Sequence, residues 1–65
     1  MRRRTYDLEP GNMLTRGKSL VEIITTAGNM ASVAVIRDQH GRKAPKRAIV
    51  AMRLWDLAEF WEVAA

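Results

Sequence analysis

The sequence predicts an α+β domain in which an antiparallel sheet of three to four strands carries one C-terminal helix. Two observations predict this class. Residues Ser19 to Thr26 and Ala31 to Asp38 are rich in Val, Ile and Thr, and they flank the turn dipeptide Gly28-Asn29, which indicates a β-hairpin. Near the C-terminus, apolar residues recur at helical spacing, which is typical of an amphipathic helix.

The length of 65 residues allows one domain, which we assign to residues 5 to 65, with residues 1 to 4 as a flexible basic tail. The chain has no cysteine and one histidine, so neither a disulfide nor a zinc site stabilises its small core. We therefore expect self-association, as a homodimer. No apolar run is long enough to span a membrane and the N-terminus lacks a signal sequence, so we expect a cytoplasmic protein, nucleoid-associated if bacterial, with no membrane partner.

The N-terminal part is expected to contribute an edge strand and a turn. Thr5 to Leu8 form the predicted short edge strand, and Glu9 to Asn12 contain the Pro and Gly that end it in a turn. Met13 and Leu14 are expected to pack beneath the sheet.

The turn chemistry of the hairpin predicts its register. If Ala27 faces Met30 across the turn, three cross-strand pairs lie on one face of the ribbon. They are Ile24 with Val33, Glu22 with Val35, and Leu20 with Arg37. The other face receives Val21, Ile23, Ala34 and Ile36. Both faces are then largely apolar, so we expect the helix to cover one of them and a second copy or a ligand to cover the other.

A second turn, a third long strand and the helix complete the predicted domain. Asp38 to Gly41 form the turn, and Lys46 to Met52 form the strand. The apolar positions of the helix are Leu54, Leu57, Ala58, Trp61 and Ala65. Its acids, Asp56, Glu59 and Glu62, gather on the opposite arc, where we expect a solvated face.

Charge is unevenly distributed along the chain, whose net charge is +4. Residues 1 to 53 hold all eleven Lys and Arg residues against four acids, whereas residues 54 to 65 hold three acids and no cation. The densest basic stretch runs from residue 37 to residue 47 and contains Arg37, Arg42, Lys43, Lys46 and Arg47. Cations this close repel one another, so the stretch favours a polyanionic partner whose phosphates neutralise them. A solubilising loop that blunts edge pairing is the alternative.

Two residues within this stretch extend the prediction. Pro45 restricts its own backbone and that of Ala44, which keeps the loop extended and spaces the cations. Base stacking would fall to Tyr6, to His40 or to neither, because Trp55, Phe60 and Trp61 are expected to pack in the core or in a dimer interface. The predicted nucleic-acid-binding residues are therefore the five cations and His40.

Catalysis is not expected. One histidine, no cysteine and no Gly-rich phosphate loop leave no recognisable nucleophile, acid–base pair or nucleotide-binding motif. We expect no catalytic residue, no metal ligand and no cofactor.

Several short motifs carry a family resemblance. They are Val33-Ala-Val-Ile-Arg37, then Gly41, then Pro45-Lys-Arg-Ala-Ile49, and finally Leu54-Trp55 at the start of the helix. Their order resembles that of the positive cofactor four family of transcriptional coactivators, including its bacterial and phage relatives, over roughly residues 20 to 63.

This resemblance implies a curved four-stranded antiparallel sheet with a C-terminal helix, a homodimer, and binding of single-stranded or melted DNA with little sequence preference. Arg37 matches the strand-end arginine of the family, and Lys46 and Arg47 match its paired loop cations, all of which would contact phosphates. The segment Asp38-Gln39-His40 replaces the acid and the aromatic residues that follow that arginine in the family.

The predicted function is therefore binding of single-stranded DNA, with RNA left open, in transcription, replication or repair, in a protein of phage or bacterial type. A protein-binding module, such as a small inhibitor or adaptor that docks on a larger host protein through a sheet edge or the acidic helix, is the alternative. Binding of double-stranded DNA through a β-ribbon is a third hypothesis.

Overall fold

The fold is an antiparallel sheet with one short C-terminal helix, which confirms the predicted α+β class. The computed structural model describes residues 8 to 64, apart from the side chains of residues 45 to 47. The elements are β1 (Met13–Arg16), β2 (Ser19–Ala27), β3 (Met30–Arg37), β4 (Lys43–Arg53), α1 (Leu54–Phe60) and β5 (Glu62–Val63). The five strands have the order β4-β3-β2-β1-β5.

The strand count differs from the predicted three to four. Residues 13 to 16 form a strand of the sheet instead of merely packing beneath it, and residues 62 and 63 form a strand where the helix was expected to continue. The predicted basic tail lies outside the described residues, and so does the predicted edge strand except for Leu8. That residue is buried in the core outside any strand.

Two tight turns make β1, β2 and β3 consecutive antiparallel neighbours. Arg16 pairs with Ser19 across Gly17-Lys18, and Ala27 pairs with Met30 across the predicted Gly28-Asn29 turn. Gly17 and Gly28 each have a φ of 61, and no other residue type has a positive φ in residues 8 to 64. Glycine at the first central position of a two-residue turn is the pattern of type II′, whose twist matches that of the flanking strands.

The register of the β2–β3 hairpin agrees with the prediction at both ends and differs from it in the middle. Leu20 does oppose Arg37, but Val33 opposes Ile23 instead of Ile24, and Glu22 opposes Ala34 instead of Val35. The reason is a β-bulge at Ile24, compensated by the unpaired Ile36 on β3, because an extra residue on one strand shifts every later pair.

This shift decides which side chains share a face. Val21 and Ile23 lie on the same face as Val33 and Val35, so they are not grouped with Ala34 and Ile36 as predicted. The core on this face consists of Leu8, Leu14, Val21, Ile23, Ala31, Val33, Leu54, Leu57 and Ala58.

The opposite face of the sheet is mixed in character, which corrects the expectation of two apolar faces. Rows across the strands there join Glu22, Ala34 and Ile49, and then Thr25, Ser32 and Ala51. Ile49 is 59% exposed, whereas Ala34 is buried between its larger neighbours. The polar members of these rows mean that this face does not require an apolar cover.

Strand β4 is longer than predicted and contains a wide irregularity. Val35 pairs with Ala48, but Arg37 pairs with Lys43, so residues 44 to 47 lie opposite the single residue Ile36. Pro45 lies in this segment, where its missing N–H removes no regular ladder hydrogen bond. Residues 43 to 47 of the basic stretch are therefore a bulged part of an edge strand instead of a connecting loop.

The helix is shorter than predicted. Seven apolar and acidic positions from residue 54 to residue 62 suggested a helix that continues beyond Phe60. It begins at Leu54, whose N–H donates to the Asn29 carbonyl at 2.9 Å, and it ends at Phe60. Glu62 lies in β5 instead of on a helical face, since Leu14 of β1 pairs with Val63 and the Ala64 N–H donates to the Met13 carbonyl at 2.7 Å. Hydrogen bonding to the free edge of β1 thus outweighs the helix propensity of this segment.

No helix in residues 8 to 64 has the length and apolarity that crossing a bilayer requires.

Because of the bulge, we expect substitutions at two adjacent isoleucines to reduce the free energy of unfolding by different amounts. Ile23 is 0% exposed and Ile24 is 39% exposed. Replacing Ile23 with Ala should reduce the free energy of unfolding by about 2–5 kcal/mol, because it leaves a cavity, whereas Ile24→Ala should cost much less. Urea unfolding followed by circular dichroism measures both. Ile23→Val, with an expected cost of about 0.5–1.5 kcal/mol, replaces Ile23→Ala if that variant does not fold. Equal losses at the two positions would contradict the bulged register.

Candidate nucleic-acid interface

The turn between β3 and β4 is organised by the carboxylate of Asp38. Its Oδ1 accepts the N–H groups of His40 at 2.8 Å and Arg42 at 3.0 Å. The backbone closes the same turn, since the Asp38 N–H donates to the Arg42 carbonyl and the Gly41 N–H donates to the Asp38 carbonyl. The only acid in the basic stretch therefore holds the backbone from which the cations project.

These hydrogen bonds also affect the ionisation of Asp38. The N–H groups of Arg42 and His40 lower the pKa of the carboxyl below its ordinary value of 3.8, and the nearby charges of the two side chains act in the same direction. Asp38 is therefore ionised under ordinary conditions. Its negative charge offsets part of the local positive charge.

A second turn lies against the first. A Cβ atom built on Gly41, whose φ is +81, would lie 3.4 Å from Cβ and 3.5 Å from Cδ of Lys18. The aliphatic part of Lys18, in the β1–β2 turn, thus packs on the backbone of the β3–β4 turn at a point where only glycine fits without strain. This contact adds a cation that the linear sequence separates from the others by nearly twenty residues.

The antiparallel topology gathers cations at one end of the sheet. We call this group the basic end; it consists of Arg16, Lys18, Arg37, Arg42 and Lys43, and all five side chains are exposed. The other end of the sheet carries Arg53. Most cations of the described residues therefore lie at this end, where Asp38 and Glu62, the partner of Thr15, offset part of their charge.

The predicted binding residues are placed as follows. Arg37 ends β3 opposite Lys43, the first residue of β4, and His40 and Arg42 lie in the turn between them. These four residues lie close together at the end of the sheet where β3 meets β4. The backbone of Lys46 and Arg47 belongs to β4, but their side chains lie outside the described part of the structure.

Sequence reasoning missed Arg16 and Lys18 because the β1–β2 hairpin was not recognised. The signal was present, since Arg16-Gly17-Lys18-Ser19 has glycine at the first central position of a two-residue turn. Recognising that hairpin would have placed both cations at the end of the sheet where β3 ends.

Two aromatic residues of the helix lie at the surface of the single copy instead of in its core. Trp55 is 57% exposed and Phe60 is half exposed, so neither packs in the core. Their rings meet edge to face with centroids 5.7 Å apart, and the guanidinium of Arg16 lies 5.4 Å from the Phe60 centroid. This cation–π contact places the aromatic pair beside the basic end.

Trp61 lies differently. It follows the helix with extended backbone, and its N–H donates to the Leu57 carbonyl at 3.3 Å. Its side chain packs partly on the core and also lines an open groove of about 380 Å³. The groove runs from Trp61 over the sheet toward Arg37 and His40.

Residues that could ligate a metal do not cluster. Across residues 8 to 64, no group of three or more His, Asp or Glu side chains has an arrangement that could hold an ion. The site therefore offers cationic, aromatic and apolar contacts.

Removing the Asp38 carboxylate should destabilise the turn in a pH-dependent way. The folded-state pKa is lowered below 3.8, so the stabilisation from this group is present above pH 3.8 and is lost as pH falls through the folded-state value. Asp38→Ala should melt at a lower temperature than the wild type at neutral pH, and the difference should narrow in acid. Thermal melting by circular dichroism measures this.

Asp38→Asn is the matched control, because it keeps an acceptor oxygen without the charge, and its melting temperature should lie between the other two. A melting temperature for Asp38→Ala equal to that of the wild type at neutral pH would show that the turn does not depend on these hydrogen bonds.

The chain matches no protein-family model, no curated protein and no solved structure. The resemblance to the positive cofactor four family thus stays a prediction based on its short motifs, and functional inference depends on the geometry of the basic end and the groove.

Proposed function

We propose that the chain binds single-stranded nucleic acid, with the phosphates on the basic end of the sheet. The observation that carries this proposal is the convergence of exposed cations from two separate turns, Arg16 and Lys18 from one and Arg37, Arg42 and Lys43 from the other. Phosphates are ligands that neutralise such a group of cations, and each contact releases counterions from the nucleic acid.

The local structure supports a binding role over a merely solubilising one. A solubilising loop needs no fixed conformation, yet this turn is held by both amide hydrogen bonds to Asp38 and by the packing of Lys18 on Gly41. Fixed backbone geometry reduces the entropy lost when the cations contact a ligand. The turn therefore presents its charges in an arrangement that suits repeated phosphates.

The position of the hairpin tip favours a single strand over a duplex. In recognition by a β-ribbon, strands enter a groove of the duplex and nearby cations contact its backbone. The long β2–β3 ribbon ends at Gly28-Asn29, at the end of the sheet opposite to the basic end. An apolar groove lined by the indole of Trp61 lies beside the cations instead, and unstacked bases are the parts of a nucleic acid that use such a surface.

Dimerisation is part of the proposal, and the edge strand β4 supports it. The side chains from Ala48 to Ala51 are all exposed at this edge, including Ile49 at 59% and Val50 at 41%. An edge of this kind pairs readily with another strand. In an antiparallel pair of β4 strands, however, the cations before Ala48 would approach Arg53 of the second copy, so a polyanion that neutralises them would favour pairing.

The same edge favours a second candidate function, which is capture of an extended peptide from another protein along β4. The exposed apolar centre between cationic ends fits a partner strand with apolar residues between acidic ones. Main-chain pairing depends little on salt, whereas phosphate contacts depend on it steeply. The salt dependence of binding therefore distinguishes the two functions.

Binding to a fluorescent oligothymidine, followed by anisotropy, should weaken steeply with salt. Arg42→Gln should lower the slope of log affinity against log salt by about 0.7, the value of one phosphate contact on a single strand. Neutralising Lys46 and Arg47 together should lower it by about twice as much. Arg53→Gln is the matched control at a protein concentration at which the chain is monomeric, since it removes the same charge from the other end of the sheet, and its slope there should equal that of the wild type. A flat salt response would refute the proposal.

Mass in solution tests the dimer. Light scattering should give a larger fraction of dimer when the oligonucleotide is present, because the strand relieves the repulsion between the flanking cations. Ile49→Lys should shift the protein toward monomer, while Thr25→Lys, on the same face but away from the β4 edge, should not. A monomer under all these conditions would exclude pairing through β4.

A further inference from the structure

The groove beside Trp61 exists because the helix is much shorter than the strands. Seven residues of α1 span about 10 Å at 1.5 Å per residue, whereas the eight residues of β3 span about 26 Å. The helix begins against Asn29 at one end of the hairpin, so it covers the sheet near that end. Phe60, at the other end of the helix, lies near Arg16 of β1, so the part of this face that stays open is the one near Arg37 and His40.

The groove has two kinds of lining. Its apolar surfaces come from Val21, Val35, Val50, Met52 and Trp61. Its polar residues are Ser19, Arg37, Asp38, Gln39 and His40. The last four are consecutive and lie at the end of β3 and in the turn after it. A mostly apolar concavity with a few polar groups on one side is the usual form of a small-ligand site.

The occupant must combine a flat apolar part with a negative charge. The indole of Trp61 and the valines offer contact to an apolar ring, while Arg37 and His40 offer donors at the rim. Beyond the rim, Arg42 and Lys43 add further positive charge. A nucleobase joined to a phosphate matches this order of apolar and cationic surfaces.

We infer that the groove holds one unstacked base of the bound strand against Trp61, with the adjoining phosphate on Arg37 and His40. This inference rests on the proposed function and adds to it the residue that contacts the base. Asp38 also lines the groove and is ionised, with its Oδ1 accepting two N–H groups of the turn, but the five cations of the basic end outnumber this one negative charge. The side-chain Nε2 of Gln39 lies 3.4 Å from Nε2 of His40, so these two polar residues are in contact at this side of the groove.

A second copy is a less suitable occupant. Two copies that joined through this groove would bring Arg37, Arg42 and Lys43 of each close to one another, and like charges in contact disfavour association. A strand that brings its own phosphates removes that repulsion.

Two tryptophans make the inference measurable by fluorescence. Trp61 lines the groove, whereas Trp55 does not and is 57% exposed. In the variant Trp55→Phe, Trp61 is the only tryptophan, and the groove keeps all its residues. Oligothymidine should quench the emission of this variant, because the base stacks on the indole. A strand of the same length without bases should bind at low salt without quenching.

The affinity for the two strands supplies the second measurement. Trp61→Ala should weaken binding of oligothymidine by between about 5-fold and 150-fold, the range for loss of one stacked base, and should leave binding of the base-free strand unchanged. Trp55→Ala is the matched control, with no change for either strand. Circular dichroism establishes that each variant is folded, and the quenching experiment decides the matter if Trp61→Ala is not.

The outcomes separate the two proposals. If neither strand binds at low salt, the proposed function fails. If both strands bind equally well to the wild type and neither quenches Trp61, the function stands and the base site is refuted. Emission of Trp61 that changes with protein concentration alone, with no response to oligothymidine, would show that the groove is an interface between copies and would also overturn the inference.

Discussion

Packing of one short helix on one face of the sheet is the interaction on which the rest of the structure depends. Leu54, Leu57 and Ala58 are the helical residues of the core, and Leu57 is completely buried. A chain of 65 residues has few other ways to bury apolar surface. Because seven helical residues cannot cover strands of eight to eleven, the same packing that stabilises the fold leaves the groove open.

Tight turns then determine where charge accumulates. The β1–β2 turn and the β3–β4 turn lie at the same end of an antiparallel sheet, so cations from distant parts of the sequence become neighbours. The contact of Lys18 with Gly41 and the hydrogen bonds to Asp38 hold the two turns in place. Charge repulsion within this group costs stability in the free protein, which is a reason to connect the arrangement with a polyanionic ligand.

The basic end and the groove lie next to each other and have complementary chemistry. The basic end offers donors that any phosphate satisfies, whereas the groove offers an indole and aliphatic side chains that any base satisfies. Among the described residues, the contacts that these two surfaces offer are mostly to phosphates and to the faces of bases, which carry little sequence information. Such a combination is consistent with affinity for single strands and with little dependence on their sequence.

The sequence by itself determined the β2–β3 hairpin, the start of the helix at Leu54 and three of the five cations at the basic end, because turn residues, apolar periodicity and charge are local properties. Only the tertiary structure decided the bulge at Ile24, the end of the helix at Phe60 and the position of Trp61. Residues 62 and 63 become a strand because β1 has a free edge beside them, and the bulge decides which side chains reach the core. Both outcomes depend on partners distant in the chain, which local propensity does not include.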